Sequence, residues 1–146
     1  MVYDFGLMKQ NMKALVESFD HAITLWSKDS QEYKDDMKKH SQRWVELPVS
    51  PSCEQFSRVI FVMIDKLLKL TSCVNGEKEV KLHSVIVHET QTGYAQAFYE
   101  DAYSKNMGLI ELEDIVFSDE VRDGFGDVNL WERVKSGEAF VNPTTV

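Results

Sequence analysis

The most constraining stretch of the sequence is a strand-like run that ends in a carboxylate and a glycine turn. Residues 85–87 are three consecutive β-branched residues, and residues 82–89 alternate as a pleated strand requires. Glu89 then lies on the same face as the two valines of the run. Residues 90–93 predict a turn into an antiparallel strand over residues 94–99. Glu89 is therefore either solvated at a sheet edge or held for a ligand that carries paired hydrogen-bond donors.

The composition is that of a single globular domain. The chain has 146 residues, of which 43% are hydrophobic and 27% are charged. The longest unbroken apolar run, residues 59–64, is too short to cross a membrane, and residues 1–13 lack the pattern of a secretory signal. We expect a cytoplasmic protein without a membrane partner. Cys53 and Cys73 are expected to be reduced thiols, because their spacing fits no metal-binding pair.

The negative charge lies almost entirely in the C-terminal third. The net charge is −8, and residues 1–99 carry 12 Lys and Arg against 13 Asp and Glu. Residues 100–146 carry 4 basic side chains against 11 acidic ones. Binding to a nucleic-acid duplex needs clustered Lys and Arg. We therefore expect no direct nucleic-acid partner.

A first amphipathic helix is predicted near the N-terminus. Apolar residues recur at spacings of three and four from Met8 to Ile23, which is typical of a helix with one buried face. Asp20 and His21 lie in the last part of this pattern. Neighbouring side chains on a helix point about 100° apart, so these two can act together only at a helix end or through a third group. A helix terminus without a catalytic role is the simpler interpretation of an isolated Asp-His pair.

A charged segment and a second helix follow. Residues 28–42 contain no glycine and predict an exposed helix or an ordered insertion. Ser52 and Gln55 have the spacing of a capping box, which predicts a second helix that ends before the Asn-Gly turn at residues 75–76. Glu54 would lie in the first turn of this helix, where it could interact with the helix dipole instead of a ligand.

The C-terminal part has weaker signals. Residues 108–117 alternate in polarity and predict a further strand or sheet edge. Beyond residue 118 the sequence contains several glycines and one short amphipathic piece at residues 130–134. We interpret the tail beyond residue 118 as peripheral and loosely held. Residues 100–146 as a whole are interpreted as an acidic extension that packs on, or trails from, a domain formed by residues 1–99.

Four short motifs together resemble one known family. They are Met1-Val-x-Asp-Phe5, Phe19-Asp-His21, Pro51-Ser-Cys-Glu54 and Val87-His-Glu-Thr90. Their order and spacing resemble the 6-pyruvoyl-tetrahydropterin synthase and 6-carboxytetrahydropterin synthase family, whose members show MVxDF, LDH, NPTxE and VxET. The resemblance covers residues 1–99, leaves residues 100–146 unmatched and makes residues 28–42 an insertion.

The resemblance implies an α+β fold of the tunnelling type (T-fold), with two helices packed on one face of an antiparallel sheet. Family members have the element order β-β-α-α-β-β and close their sheets into a barrel across subunits, usually as a hexamer of two trimers. We therefore expect a homo-oligomer. This chain begins where the first hairpin would end, so the resemblance implies that Met1 is an internal methionine of a longer protein. A remnant that has lost its chemistry, or a hairpin supplied by a separate chain, are the alternatives.

The metal requirement of the family is also tied to that first hairpin. Family members carry three zinc-binding histidines there, and a cysteine shortly before the last two acts as the base. The four histidines of this chain do not reproduce the zinc pattern, and neither cysteine stands at the position of the base. We expect zinc in a complete family member and none bound by this chain alone.

The resemblance implies a lyase that acts on 7,8-dihydroneopterin triphosphate. The favoured branch is 6-carboxytetrahydropterin synthase, which feeds queuosine-type deazapurine modification of tRNA. Asp20 and His21 match the family's catalytic pair, and Glu89 matches the carboxylate that accepts two parallel N–H groups of the pterin. The implied substrate-binding set is Glu89, Thr90, Ser52 and Glu54. The alternatives are 6-pyruvoyl-tetrahydropterin synthase and a non-catalytic module that keeps only the pterin pocket.

Overall fold

The computed structural model describes residues 6–72 and 81–141 of the chain. The helices there are α1 Gly6–Glu17, α2 Gln31–His40, α3 Cys53–Leu70, α4 Tyr99–Ala102, α5 Asp119–Asp123 and α6 Leu130–Ser136, with a 3₁₀ turn at Leu112–Asp114. The strands are β1 Ile23–Trp26, β2 Trp44–Leu47, β3 Thr71–Ser72, β4 Val85–His88, β5 Tyr94–Ala97, β6 Val116–Phe117 and β7 Phe140–Val141. The MVxDF motif, Cys73 and the Asn-Gly turn at residues 75–76 lie outside the described residues.

Three small sheets, and not one antiparallel sheet, are found in the described part of the chain. Strands β1, β2 and β6 form a mixed sheet in that order, in which β1 and β2 are parallel. Strands β3 and β7 form a parallel pair, whereas β4 and β5 form an antiparallel hairpin. The predicted mixture of helices and strands is confirmed at this coarse level. The parallel pair β1–β2 exists because α2 provides the crossover connection that parallel neighbours need.

Helix α3 forms the centre of the core. It contacts α1, α4, α6 and both strands of the β4–β5 hairpin. Its predicted start is confirmed, since Ser52 Oγ accepts a hydrogen bond from the Gln55 N–H at 3.2 Å. The Gln55 side chain is engaged elsewhere and donates to the carbonyl of Met107 at 3.1 Å. Only the serine half of the predicted capping box is therefore formed.

The β4–β5 hairpin confirms the antiparallel pair predicted on either side of residues 90–93. Its register pairs His88 with Tyr94 at the end next to the turn. Ala95 and Ala97 of β5 are buried. These small side chains allow the hairpin to lie close to α3, which both of its strands contact.

Helix α1 ends at Glu17, earlier than the apolar pattern predicts. His21 follows in a left-handed conformation with φ 54°, which an α-helix cannot continue through. Ile23, predicted as the last apolar residue of the helix, instead opens β1. A helical spacing of apolar residues therefore extended by chance across a turn and into a strand.

The charged segment forms α2, which confirms the helix predicted within residues 28–42. Ser30 Oγ accepts the N–H of Tyr33 at 3.2 Å and caps its start. Lys34 is buried, and its Nζ donates to the carbonyl of Ser27 at 3.0 Å. The flanking strands β1 and β2 were not predicted. They are four residues each and lack a clear alternation, so periodicity does not distinguish them from loops.

The expectation that the tail beyond residue 118 is loosely held is wrong for its described residues. Leu130, Trp131 and Val134 of α6 are buried in the same core as α3. Trp131 Nε1 donates to the carbonyl of Ile115 at 3.1 Å. The strand predicted over residues 108–117 is also wrong for most of its length. Only β6 pairs, with β2, and the remainder is irregular apart from the 3₁₀ turn.

A buried arginine ties the loop after α4 to α3. Arg58 is 1% exposed, and its guanidinium donates to the side chain of Gln55 and to five main-chain carbonyl groups. These carbonyls belong to Asp101, Ala102, Ser104, Met107 and Gly108, at distances of 2.6–3.2 Å. Burial lowers the pKa of Arg58, while the charge of Asp101 opposes this shift. The guanidinium stays charged at physiological pH and supplies the donors that an irregular loop lacks.

We predict that Arg58→Met destabilises the fold by at least about 3 kcal/mol, because it leaves five carbonyl groups without their donor. Urea unfolding monitored by tryptophan fluorescence measures the change. Arg122→Met is the matched control, since Arg122 pairs with the exposed Asp119 and its loss should cost less than about 1 kcal/mol. Equal losses in the two variants would contradict the role assigned to Arg58.

Candidate functional site

Asp20 and His21 lie in the turn between α1 and β1. Their side chains are 70% and 89% exposed, respectively. Asp20 Oδ1 is 3.8 Å from His21 Nε2, which is too long for a hydrogen bond. The pair therefore lies just beyond a helix end, the position that the sequence requires for a joint role, and neither side chain orients the other.

A cavity of about 250 Å³ lies beside this turn. Its walls are the turn itself, Arg43, and the side chains of Val121 and Phe125 around α5. Arg43 donates through Nε to the carbonyl of Asp20 at 3.1 Å and through Nη2 to the carbonyl of Glu17 at 3.3 Å. Sequence reasoning missed Arg43, because these contacts join residues 23 and 26 positions apart. No local pattern signals such a contact.

A larger apolar groove of about 840 Å³ lies between α1, α3 and β4. Phe19 and Phe56 both line it, with ring centroids 5.5 Å apart in an edge-to-face arrangement. Asp20 lines this groove as well as the smaller cavity, and Val87 lines it from β4. Asp20 and Val87 therefore border the same groove, whereas the other predicted site residues, His21, Ser52, Glu54, Glu89 and Thr90, do not line it. The sequence predicted this stripe of α1 as core, yet Val16 is 44% exposed.

Glu89 directly follows β4, at the strand end where the sequence placed it. Its side chain is exposed, and its main-chain N–H donates to the carbonyl of Gly93 at 2.9 Å. Thr90 Oγ1 accepts the N–H of Gly93 at 2.7 Å. The turn therefore fixes the backbone at Glu89 and leaves the carboxylate open to solvent.

The start of α3 lies against the end of β4. The thiol of Cys53 donates to the carbonyl of Val87 at 3.1 Å. This contact brings Ser52 and Glu54 close to the strand that precedes Glu89. Ser52 already accepts a hydrogen bond as the helix cap, and Glu54 is exposed in the first turn. Glu54 lines a small cavity of about 170 Å³ beside β5, and Glu89 is not among the residues that line it.

The described residues do not fit a zinc site. No three His, Cys, Asp or Glu side chains come together as a metal-binding group in residues 6–72 and 81–141, and zinc needs three protein ligands. His83 and His88 instead pack against Phe98 and Tyr94, with ring centroids 5.6 and 5.8 Å apart. His40 lies exposed on α2.

A further feature concerns membranes. Within the described part of the chain, no helix has the length and apolar character needed to cross a bilayer.

Comparison with known proteins identifies a family for these features. A family model described as 6-pyruvoyl tetrahydropterin synthase matches residues 1–100. The chain belongs to the 6-pyruvoyl tetrahydropterin synthase family. This match confirms the membership predicted from the four motifs, all of which lie within the matched range.

Two members of this family from Helicobacter pylori are similar to the chain. Both are 6-carboxy-5,6,7,8-tetrahydropterin synthases, from strains 26695 and J99, and they are 33% and 32% identical over 139 residues. Each alignment covers 94% of this chain and 70% of the relative. The similarity therefore continues into residues 100–146. The expectation that the resemblance leaves this part unmatched is wrong for these two relatives.

Proposed function

We propose that this chain acts as a carbon–carbon or carbon–oxygen lyase of the 6-carboxytetrahydropterin synthase type on 7,8-dihydroneopterin triphosphate. The observation that carries the proposal is the 33% identity, over 94% of the chain, to a 6-carboxy-5,6,7,8-tetrahydropterin synthase. The names of both relatives favour this branch over 6-pyruvoyl-tetrahydropterin synthase. In this proposal the enzyme works in the cytoplasm, its product serves queuosine-type modification of tRNA, and it does not itself bind nucleic acid.

Glu89 is the proposed recognition residue for the pterin ring. It follows β4 directly, two residues after Val87, which lines the apolar groove, so we propose that its carboxylate reaches a ring bound at that end of the groove. A pterin in this groove would present its exocyclic amino group and the adjacent ring N–H in parallel, and one carboxylate can accept both. Thr90, Ser52 and Glu54 are proposed to add polar contacts. After capping α3, the Ser52 hydroxyl still has a proton to donate.

Asp20 and His21 are the proposed proton-transferring pair. Asp20 borders the groove, so the pair stands next to the proposed pterin site. An imidazole can take and give a proton at cellular pH, which suits the loss of triphosphate and the rearrangement that follows. The two groups are 3.8 Å apart, so the proposed role requires a side-chain rotation before Asp20 can orient the imidazole. We assign no step to zinc, because the described residues do not fit it.

A second candidate is a non-catalytic module that binds pterins. The observation in its favour is that the described residues bring no metal-binding group together. This candidate predicts saturable pterin binding without any release of triphosphate from 7,8-dihydroneopterin triphosphate.

We predict that Glu89→Gln weakens pterin binding by about 2–4 kcal/mol, or roughly 30- to 1000-fold. The substitution keeps the size of the side chain but turns one acceptor oxygen into a donor amide, which faces a donor on the pterin. Quenching of pterin fluorescence measures the dissociation constant. Glu113→Gln, a change at an exposed carboxylate of the 3₁₀ turn, is the matched control. Unchanged affinity in Glu89→Gln would remove Glu89 from the site.

We predict a different outcome for the proton-transferring pair. Asp20→Asn and His21→Ala should lower turnover while pterin affinity stays within a few-fold of the parent, because these residues act on protons and not on the ring. Release of triphosphate measures turnover, and His40→Ala, at an exposed histidine of α2, is the control. If His21→Ala abolished binding while Glu89→Gln left it unchanged, the two roles would be reversed.

We also propose that the chain works as a homo-oligomer, a trimer or a hexamer. Among the described residues β4 pairs only with β5, and the outer face of this hairpin exposes Ile86 and Tyr94. A two-stranded sheet is marginally stable alone, and an open strand edge favours pairing with another chain.

Light scattering tests this assembly. We expect a mass of at least three 16.8 kDa chains and its reduction in Tyr94→Lys, because the added charge is placed on the exposed hairpin face. Tyr33→Lys, on α2, is the control and should not change the mass. A monodisperse species with the mass of one chain would rule out the assembly.

A further inference from the structure

We propose that Arg43 is a positioning residue that holds the backbone of the Asp20–His21 turn, the segment that carries the proposed proton-transferring pair. This inference rests on the proposed function of that pair. Arg43 immediately precedes β2 and follows the charged segment that contains α2. Residues 28–42, interpreted as an insertion, would then serve to position the Arg43 guanidinium at the candidate site.

Arg43 contacts two main-chain carbonyl groups, one at the end of α1 and one in the Asp-His turn. Glu17 is the last residue of α1, and its carbonyl accepts the N–H of Asp20 at 2.9 Å in the turn that follows the helix. Arg43 Nη2 donates to this carbonyl at 3.3 Å, and a cation at a helix C-terminus is stabilised by the helix dipole. Nε donates to the carbonyl of Asp20 at 3.1 Å, which belongs to the peptide group joining Asp20 to His21. One planar fork therefore links the helix end to the candidate catalytic pair.

His21 has a left-handed backbone conformation. Its φ of 54° is unfavourable for a residue with a Cβ atom, so the surrounding structure must hold it. Arg43 acts on both sides of this residue. Its side chain binds the carbonyl of Asp20, and its own main-chain carbonyl accepts the N–H of Ile23 at 2.9 Å. The Ala22 N–H also donates to the carbonyl of Phe19, at 3.3 Å, and closes the turn from within.

The main chain of Arg43 is itself held by hydrogen bonds. Its main-chain N–H donates to Ser41 Oγ at 3.2 Å, and the Ser41 hydroxyl donates to the carbonyl of Arg43 at 2.9 Å. The backbone that carries the guanidinium is thus set by a local serine turn at the start of β2. The pairing of Ile23 with Trp44 in the parallel sheet fixes the same region from the other side. The guanidinium that supports the Asp-His turn is therefore carried by a backbone segment that is held by the serine turn and by sheet pairing.

The test compares Arg43→Gln and Arg43→Lys with the parent protein. Glutamine loses the charge and the fork, whereas lysine keeps the charge but cannot reproduce the two directed N–H groups. Arg133→Gln is the matched control, because Arg133 pairs with Asp127 and Glu138, away from the turn. Amide hydrogen exchange, measured by NMR without substrate, reports how often the turn opens. Steady-state kinetics report the chemistry.

We expect Arg43→Gln to raise exchange at the Asp20 and Ala22 amides about 10- to 100-fold, with α3 amides unchanged, since a charge-assisted hydrogen bond is lost. We expect kcat to fall by about 10-fold or more while KM stays within about threefold, because ring recognition is untouched. Arg43→Lys should show an intermediate loss, and about 10 mM guanidinium should restore part of the activity of Arg43→Gln but not of Arg133→Gln.

Unchanged exchange at the turn in Arg43→Gln would overturn the inference, and so would raised exchange with unchanged kcat. A parallel rise of exchange in α3 would also overturn it, since Arg43 would then support the whole fold. If the parent protein showed no turnover, the proposed function would fail, and the exchange data alone would still decide whether Arg43 holds the turn.

Discussion

The burial of α3 is the constraint on which the rest of the structure depends. This helix contacts α1, α4, α6 and the β4–β5 hairpin, and nearly one whole side of it is removed from water. Burial on that scale forces two charged residues into the interior. Arg58 meets main-chain carbonyl groups, as described above. Asp65 accepts hydrogen bonds from the Tyr103 hydroxyl at 2.5 Å and from Lys69 at 2.9 Å.

The contacts of Asp65 explain the state of its tyrosine partner. Burial, and then the hydrogen bond to Asp65, raise the pKa of Tyr103 above its ordinary range, so the phenol keeps its proton and remains a donor. Arg58 and Asp65, which lie about two helical turns apart, thus attach α4 and the loop after it to α3 at two points. The acidic C-terminal part is held in this way, in addition to its own apolar anchors in α6.

The predictions that succeeded rest on local signals. The cap at Ser52 and the turn before Tyr94 are short-range patterns, so α3 and the hairpin followed from the sequence. The predictions that failed depend on contacts between distant residues. Trp131 is buried and bonds the main chain at Ile115, 16 positions away. The helical pattern extends past Glu17 because nothing in the local sequence marks His21 as left-handed.

In the candidate site, too, the local features could be predicted and the contacts between distant residues could not. The sequence placed Glu89 at a strand end, as the structure has it, whereas Asp20 and His21 were predicted at the end of a helix and lie in the turn beyond it. Their relation to one another could not be predicted, because the groove that Asp20 shares with Val87 forms only when α1 and β4 both pack against α3. Arg43 could not be predicted either, since its role depends on the parallel pairing of two short strands.

Recognition of a pterin by a carboxylate is the central claim, and a pair of matched ligands tests it most directly. In the lumazine analogue of neopterin a carbonyl oxygen replaces the exocyclic amino group, and the ring nitrogen on the side away from the shared ring N–H gains a hydrogen. Calorimetric titration of the unaltered protein should show saturable binding of neopterin, with the lumazine about 30- to 1000-fold weaker, because one donor to Glu89 becomes a repelling acceptor. Equal affinity for the two ligands, or no binding of neopterin, would contradict the account.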